Sequence, residues 1–260
     1  MLVYRIHFFV LIIVNDIISY MKITFAHKFG AQEKSHIEHY TATLIDVRDD
    51  ETDDALSQGW LTDLNSNGDY HWYQCRSTRC NLNKFSSESN FIDVREREHT
   101  MNRGVFYAMN PSLDNDTTEK IYNRYCKHKG FNDLFHTEVT NWLDCDYKIV
   151  YYDNHNPIAW SKMRMYTEYA METVLFVWDY TNPKLRVGIN SLIHELHWAK
   201  GNNFKYVYMG PGYENGSIYK ANIDGFEWWT GSEWSTNTVE YIRLCKRDSS
   251  ITTIKQLSEL

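Results

Sequence analysis

Between Thr173 and Glu233 the spacing of apolar positions changes repeatedly, and the changes predict a strand, a helix and a second strand in succession. Leu175, Phe176 and Val177 form a short β-prone run, closed by the turn signal Asn182-Pro183. Apolar side chains then recur at Ile189, Leu192, Ile193, Leu196 and Ala199, the spacing of one buried helix face. Gly201-Asn202-Asn203 suits a helix end, because glycine and asparagine tolerate the left-handed conformation. Lys205-Tyr206-Val207-Tyr208-Met209 alternates like a strand, and Gly210-Pro211-Gly212 ends it. A parallel return after a helix makes this a βαβ unit, followed by a glycine-broken loop, a short helix and a further strand. Ligands gather where the strands of such sheets end, which directs attention to Gly210–Lys220.

The same patterning organises the rest of the chain. Phe8 to Val14 is an apolar run after Arg5 and His7. It is shorter than a membrane span, is followed by Asp16 and lacks a small-residue cleavage site. An untranslated leader ahead of Met21, a packed or membrane-touching helix and a true signal are the readings open for residues 1–20. Residues 21–110 mix strands and loops, with an acidic run at Asp49–Asp54 that fits a solvated loop or a helix start. Asn67-Gly68 predicts a hairpin between two short strands. Residues 117–129 read as a helix with Thr117-Thr118 as its cap and Ile121, Tyr122, Tyr125 and Cys126 inward, and Phe131 to Cys145 as another. YKIVYYD and IAWSKMRMY around Asn154-His155-Asn156-Pro157 predict an antiparallel hairpin. Thr238 to Leu244 reads as a last strand, and the tail from Lys246 as peripheral. The fold class expected is α/β (α+β): a mixed sheet with a central βαβ unit, plus a smaller N-terminal α+β region.

Composition narrows the function classes. With 43% apolar and 23% charged residues the chain is an ordinary globular protein. A net charge of −7 argues against bulk non-specific nucleic-acid binding, while leaving room for a local basic patch. Five cysteines, an odd number, do not suggest a secreted disulfide framework, and a reducing cytoplasm is expected.

Candidate chemistry concentrates in few places. Cys75 and Cys80, flanked by Arg76 and Arg79, read first as structural cysteines; as a pair they cannot close a tetrahedral metal site without distant partners. His194-Glu195-Leu196-His197 lacks zinc-protease spacing and reads as solvent-facing helix residues. Neither a phosphate-loop motif nor a serine elbow is present. Arg186, Gly188, Asn190 and Ser191 open the central helix, where backbone N–H groups can hold a phosphate or a carbonyl oxygen; an ordinary helix start is the competing reading. Tyr208, Met209, Gly210, Gly212, Tyr213, Ser217, Tyr219 and Lys220 form the densest cluster. Its tyrosines can move protons and Lys220 can steady negative charge, against a plain core-and-turn explanation.

At this cluster the chain resembles the arginyl/leucyl-tRNA–protein transferases of the N-degron (N-end rule) pathway. Tyr206-Val207-Tyr208-Met209-Gly210-Pro211-Gly212-Tyr213, then Tyr219-Lys220-Ala221, is similar to that family's Y-x-Y-L-G-Y and Y-K-A stretch. Ile121-Tyr122-Asn123-Arg124-Tyr125 resembles its L-Y-x-R-Y helix, and Gly59-Trp60, Cys75, Cys80 and Phe85 its N-terminal segment. The family's segment carries more cysteines, and Pro211 interrupts the glycine–tyrosine pair.

The resemblance implies a GNAT-like acyltransferase domain over residues 111–246, with a cysteine-containing region at 21–110 and a tail at 247–260. It implies transfer of arginine or leucine from aminoacyl-tRNA to the N-terminal amine of an acceptor protein, with no resident cofactor. Tyr219, Lys220 and Tyr213 are then the catalytic candidates. Tyr208, Met209, Gly210, Gly212, Ser217, Arg186, Gly188, Asn190 and Ser191 are the substrate-binding ones. The rival enzyme reading is an acetyl-CoA-dependent GNAT N-acetyltransferase, whose last helix and G-F strand Ser217-Ile218-Tyr219-Lys220 and Gly225-Phe226 resemble. Arg186–Ser191 does not supply that class's pyrophosphate loop. A non-catalytic binding module on the same fold is the third.

Overall fold

The computed structural model describes residues 22–29, 37–45, 47–64, 70–86, 105–109, 113–129, 145–181, 187–213 and 215–250. The leader at 1–20, the turn at Asn67-Gly68 and the helix expected over 131–145 lie outside them, apart from Cys145. The chain divides into two compact units. One takes in the chain up to Thr78, Gly210–Ala221 and the segment from Phe226 onward; the other takes Arg79–Met209 and Asn222–Gly225.

In the first unit, strands β1 (Lys22–Phe29), β2 (Ile37–Ile45), β3 (Trp60–Leu64) and β4 (Tyr70–Gln74) make an antiparallel sheet in the order β1-β2-β4-β3. The hairpin expected around Asn67-Gly68 is the β3–β4 pair, in register from Trp60↔Gln74 to Leu64↔Tyr70. Strand β5 (Ser77–Asn81) follows β4 in the chain. The acidic run becomes a helix start: α1 (Thr52–Ser57) carries Asp53 and Asp54 in its first turn, where the helix dipole favours negative charge. Gly59 follows with φ +78°, and a Cβ there would fall 2.4 Å from Cγ of Trp229. Gly59→Ala therefore meets both a backbone and a packing conflict, and an expected loss of about 2–4 kcal/mol is read from urea unfolding of the variant.

The C-terminal part of this unit corrects the sequence reading. Thr238–Leu244 is not a strand; it lies in helix α4 (Thr238–Asp248). The β-prone alternation there is overridden by a cap and a buried stripe. The Asn237 side chain accepts from the Glu240 N–H, and Tyr241, Cys245 and Asp248 are buried at i, i+4 and i+7. Nor is the tail from Lys246 peripheral, because Asp248 is 1% exposed. Ahead of α4, strands β11 (Phe226–Trp229) and β12 (Trp234–Ser235) form an antiparallel pair.

In the second unit, β6 (Val105–Met109), β7 (Tyr147–Asp153), β8 (Asn156–Thr167) and β9 (Ala170–Trp178) run antiparallel in order. The β7–β8 turn needs positive φ at both central residues, and Asn154 (47°) and His155 (72°) adopt it. Helix α2 (Asn115–Lys129) covers one face of the sheet: Ile121, Tyr122 and Cys126 pack on Val150, Trp160 and Val177. Its cap is Asp114 rather than Thr117-Thr118, since Asp114 accepts from both the N–H (2.7 Å) and the hydroxyl (2.9 Å) of Thr117. Those bonds, the N–H bond first, lower the Asp114 pKa.

The expected βαβ unit is present. Helix α3 (Val187–Gly201) leads to strand β10 (Tyr206–Pro211), whose Tyr206–Tyr208 segment pairs parallel with β9. Alternation along the strands places α3 on the face opposite α2, where the Tyr151 hydroxyl donates to the Ser191 carbonyl. The stop at Gly201-Asn202-Asn203 has a definite form. Asn203 takes φ +65°, its N–H donates to the Lys200 carbonyl, and the Phe204 N–H reaches back to Ala199 at 3.1 Å. Among the described residues no helix is long and apolar enough to cross a membrane.

Candidate functional site

Six of the expected site residues lie on one stretch of the first unit, Gly210 to Lys220, and side chains from two other segments hold it. Gly210 adopts φ +68°, and its carbonyl accepts from the Thr78 hydroxyl at 2.7 Å. A Cβ on Gly212 would lie 2.3 Å from the Tyr241 hydroxyl, so this glycine admits a side chain of α4. The Gly212 carbonyl accepts from Arg76 Nη1 (3.2 Å) and from the Cys245 thiol (3.2 Å). Tyr213 receives the Arg76 backbone N–H on its hydroxyl oxygen at 2.7 Å, with the Arg76 guanidinium 4.9 Å from its ring centre. Burial, ahead of any charge, raises the pKa of both Tyr213 and Tyr241. Both phenols therefore stay neutral at neutral pH and hold their protons more tightly than an exposed tyrosine does.

The 3₁₀ helix Asn215–Asn222 follows. Ser217 is buried, and its carbonyl accepts from the Tyr241 hydroxyl at 3.1 Å. Tyr219 is half-buried. Lys220 is buried, with Nζ donating to the Pro211 carbonyl at 3.0 Å. Beneath the loop sits an ion pair that the local sequence pattern did not disclose. Asp248 accepts from Arg76 at 2.7 Å on one oxygen and from Arg247 at 2.7 Å on the other. Arg76 had drawn notice only as a neighbour of Cys75, and Asp248 lay in the supposed tail.

The remaining expected residues belong to the second unit. Tyr208 and Met209 are buried in β10, and Gly188, Asn190 and Ser191 form the first turn of α3; Arg186 lies outside the described residues. Ser191 uses its hydroxyl within the helix, on the Gly188 carbonyl at 2.8 Å. Parallel pairing of β10 with β9 covers three residue pairs, from Tyr206↔Ala170 to Tyr208↔Glu172, while β9 runs on to Trp178. Next to the last pair, the Thr173 hydroxyl donates to the Tyr208 carbonyl at 3.4 Å, a side chain standing where a ladder amide would. Val174 and Ile189 leave apolar surface exposed on β9 and on the first turn of α3.

Glu195 corrects another expectation. His194 and His197 are half-buried, but Glu195 is 2% exposed, inside the α3–sheet interface rather than facing solvent. Burial raises its pKa to about 7. Among the described residues neither Glu195 Oε1 nor Ser161 Oγ has a hydrogen-bond partner.

Cys75 and Cys80 are buried; the Cys75 thiol lies 3.5 Å from the Ser77 hydroxyl, and Cys80 donates to the Asp224 carbonyl at 3.4 Å. Among the described residues no three His, Cys, Asp or Glu side chains gather as ligands for a metal ion.

No protein-family model and no curated protein matches the sequence. Among solved structures, the chain is similar to L-PGS from Bacillus licheniformis, with 15% identity and a TM-score of 0.43 over 62% of this chain and 49% of that one. It is similar to the C-terminal domain of a lysylphosphatidylglycerol synthetase from Agrobacterium fabrum, with 11% identity and a TM-score of 0.42 over 66% and 54%. A GCN5-related glucosamine N-acetyltransferase region of a fungal multi-domain β-N-acetylglucosaminidase gives 13% identity and a TM-score of 0.42, over 71% of this chain and 22% of that one. The chain thus spans about half the length of the first two.

Proposed function

We propose that the protein is a GNAT-type acyltransferase of the cytoplasm that moves an amino acid, arginine or leucine, from charged tRNA to the N-terminal amine of an acceptor protein. The observation that carries this reading is the β9–β10 pair, which among the described residues is in parallel register for three residue pairs while β9 runs on to Trp178, where the Phe176 and Trp178 side chains lie 3.7 Å from the place of a Cβ on Gly188 in the first turn of α3. Backbone N–H and C=O groups along an opened strand can hydrogen-bond an extended, amide-bearing chain. The first-turn N–H groups of α3 lack partners within the helix and suit a carbonyl oxygen as it becomes an oxyanion. In the reaction the neutral amine attacks the ester carbonyl, the C–O bond to ribose breaks, the nitrogen gives up one proton as the amide forms, and the departing ribose oxygen takes one up, so no net proton is gained or lost. Tyr219 or Tyr213 is our choice for that proton, and Lys220 for steadying the negative charge. The sequence resemblance to the transferases favours tRNA as donor.

The same open strand edge favours one second reading, since the two amides of acetyl-CoA's pantetheine arm are also an extended chain. The deciding experiment follows radiolabelled arginine or leucine from charged tRNA onto a peptide beginning with Asp or Glu, with thiol release from acetyl-CoA measured in parallel. Label transfer is expected, weakened about a hundredfold by Tyr219→Phe or Lys220→Ala. Thiol release without label transfer assigns the acetyltransferase reading, and silence in both leaves a binding module.

A further inference from the structure

Beyond Glu119, helix α2 carries positive charge alone: Lys120, Arg124, Lys127 and Lys129, with His128 between the last two. Lys120, Arg124 and Lys127 stand at i, i+4 and i+7 and share a face. A groove of about 430 Å³ runs along it, lined by Asp116, Glu119, Lys120, Asn123, Arg124 and Lys127. At about 1.5 Å of rise per residue Lys120 and Lys127 stand roughly 10 Å apart along the axis, close to phosphates three steps apart on a stacked strand at about 3.4 Å each. The helix dipole accounts for the basic last turn. It does not account for Lys120, two turns earlier.

A second observation points to the same ligand. The His128 ring lies on Tyr180 with 3.6 Å between centroids and 11° between planes, and Tyr180 in turn stands 3.9 Å from Trp178. His128 is the exposed member of this column. The column is held in place: Arg124 bonds to the Asp179 carboxylate, which also accepts from the Thr181 N–H at 3.0 Å. Burial pushes the Asp179 carboxyl up, but the Thr181 and Arg124 bonds outweigh it and keep the group ionised. An aromatic column ending in an exposed ring beside a row of cations is what a single strand of nucleic acid requires, phosphates on the charges and a base on the ring. An anionic membrane would use the cations and leave the column without a purpose. The chain's overall charge of −7 directs a polyanion to this face rather than to the rest of the surface.

We propose that this face of α2, with the Trp178–Tyr180–His128 column, binds RNA: Lys120 and Lys127 hold phosphates, Arg124 stays on Asp179 and fixes the column, and His128 stacks on an unpaired base. The choice of tRNA as the RNA rests on the transferase reading; the surface itself does not. The test measures binding of the full chain to uncharged tRNA, to a short single-stranded RNA and to a blunt RNA duplex by fluorescence anisotropy. Lys120→Glu/Lys127→Glu is compared with a charge-matched control, Lys84→Glu/Lys246→Glu, all four being exposed positions. The first pair is expected to weaken tRNA binding at least tenfold and to reduce the salt slope by about 2, while the control stays near the native value. His128→Ala is expected to cost about fivefold or more on the single strand and nothing on the duplex. Equal loss in both pairs, or a native chain that binds no tRNA, overturns the proposal. So does binding to phosphatidylglycerol vesicles through Lys120 and Lys127 in place of RNA. Because uncharged tRNA is used, binding without transfer overturns the transferase reading alone, and transfer that Lys120→Glu/Lys127→Glu leaves intact overturns the RNA surface alone.

Discussion

Arg76→Ala is expected to destabilise the protein by about 3–5 kcal/mol, the usual consequence of stranding one partner of a buried ion pair. Its carboxylate partner, Asp248, has a fully buried side chain. Removing Arg76 leaves that charge with Arg247 alone and also withdraws a donor from the Gly212 carbonyl. Asp248→Ala strands the opposite charge and is expected to cost a similar amount. Arg76→Met/Asp248→Leu leaves only the partly exposed Arg247 without its carboxylate, and its cost should fall below the sum of the two single changes. Urea titrations followed by tryptophan fluorescence, for which the nine tryptophans are ample, give the three values. Single and double variants adding without interaction would mean that the pair contributes nothing as a pair.

Glu195→Gln works in the opposite direction. The carboxyl has a folded pKa of about 7 against 4.5 for an unperturbed glutamate, so between those values the folded protein holds a proton that the unfolded chain has released. Stability therefore falls as pH rises from about 4.5 to about 7 and levels off above, where the carboxylate is charged in both states. A raised pKa of this size corresponds to roughly 3 kcal/mol. Glutamine carries no charge to bury, so the variant should exceed the native protein by up to that amount at pH 8 and match it near pH 4. Denaturant midpoints at the two pH values check this. A gain that is the same at both would place the effect in packing rather than in ionisation.

Sequence patterning carried far where a structure repeats locally. The β7–β8 hairpin, the βαβ crossover and the helix stop at Asn203 are each fixed by residues within a few positions of one another, and each is found where it was expected. Thr238–Leu244 was misread because its alternation suits a strand, and only the Asn237 cap and the burial of Tyr241, Cys245 and Asp248 decide for a helix. Glu195 was misread because a charged residue on a helix is most often solvated. It falls between Leu192 and Leu196, on a helix whose buried face is wider than one narrow stripe. Of the candidate site, the loop from Gly210 to Lys220 was legible, but Arg76 and Asp248 were not. They are 172 residues apart, a separation at which a single sequence offers no periodicity to read.

That separation also sets a timetable for the ribosome. In the first unit Arg76 leaves the exit tunnel well before Asp248, and the Gly210–Lys220 loop before α4. At about 5–20 residues per second, those 172 residues take roughly 10–30 s to synthesise. Arg76 spends that interval without Asp248, and Gly59 without the Trp229 ring that packs on it.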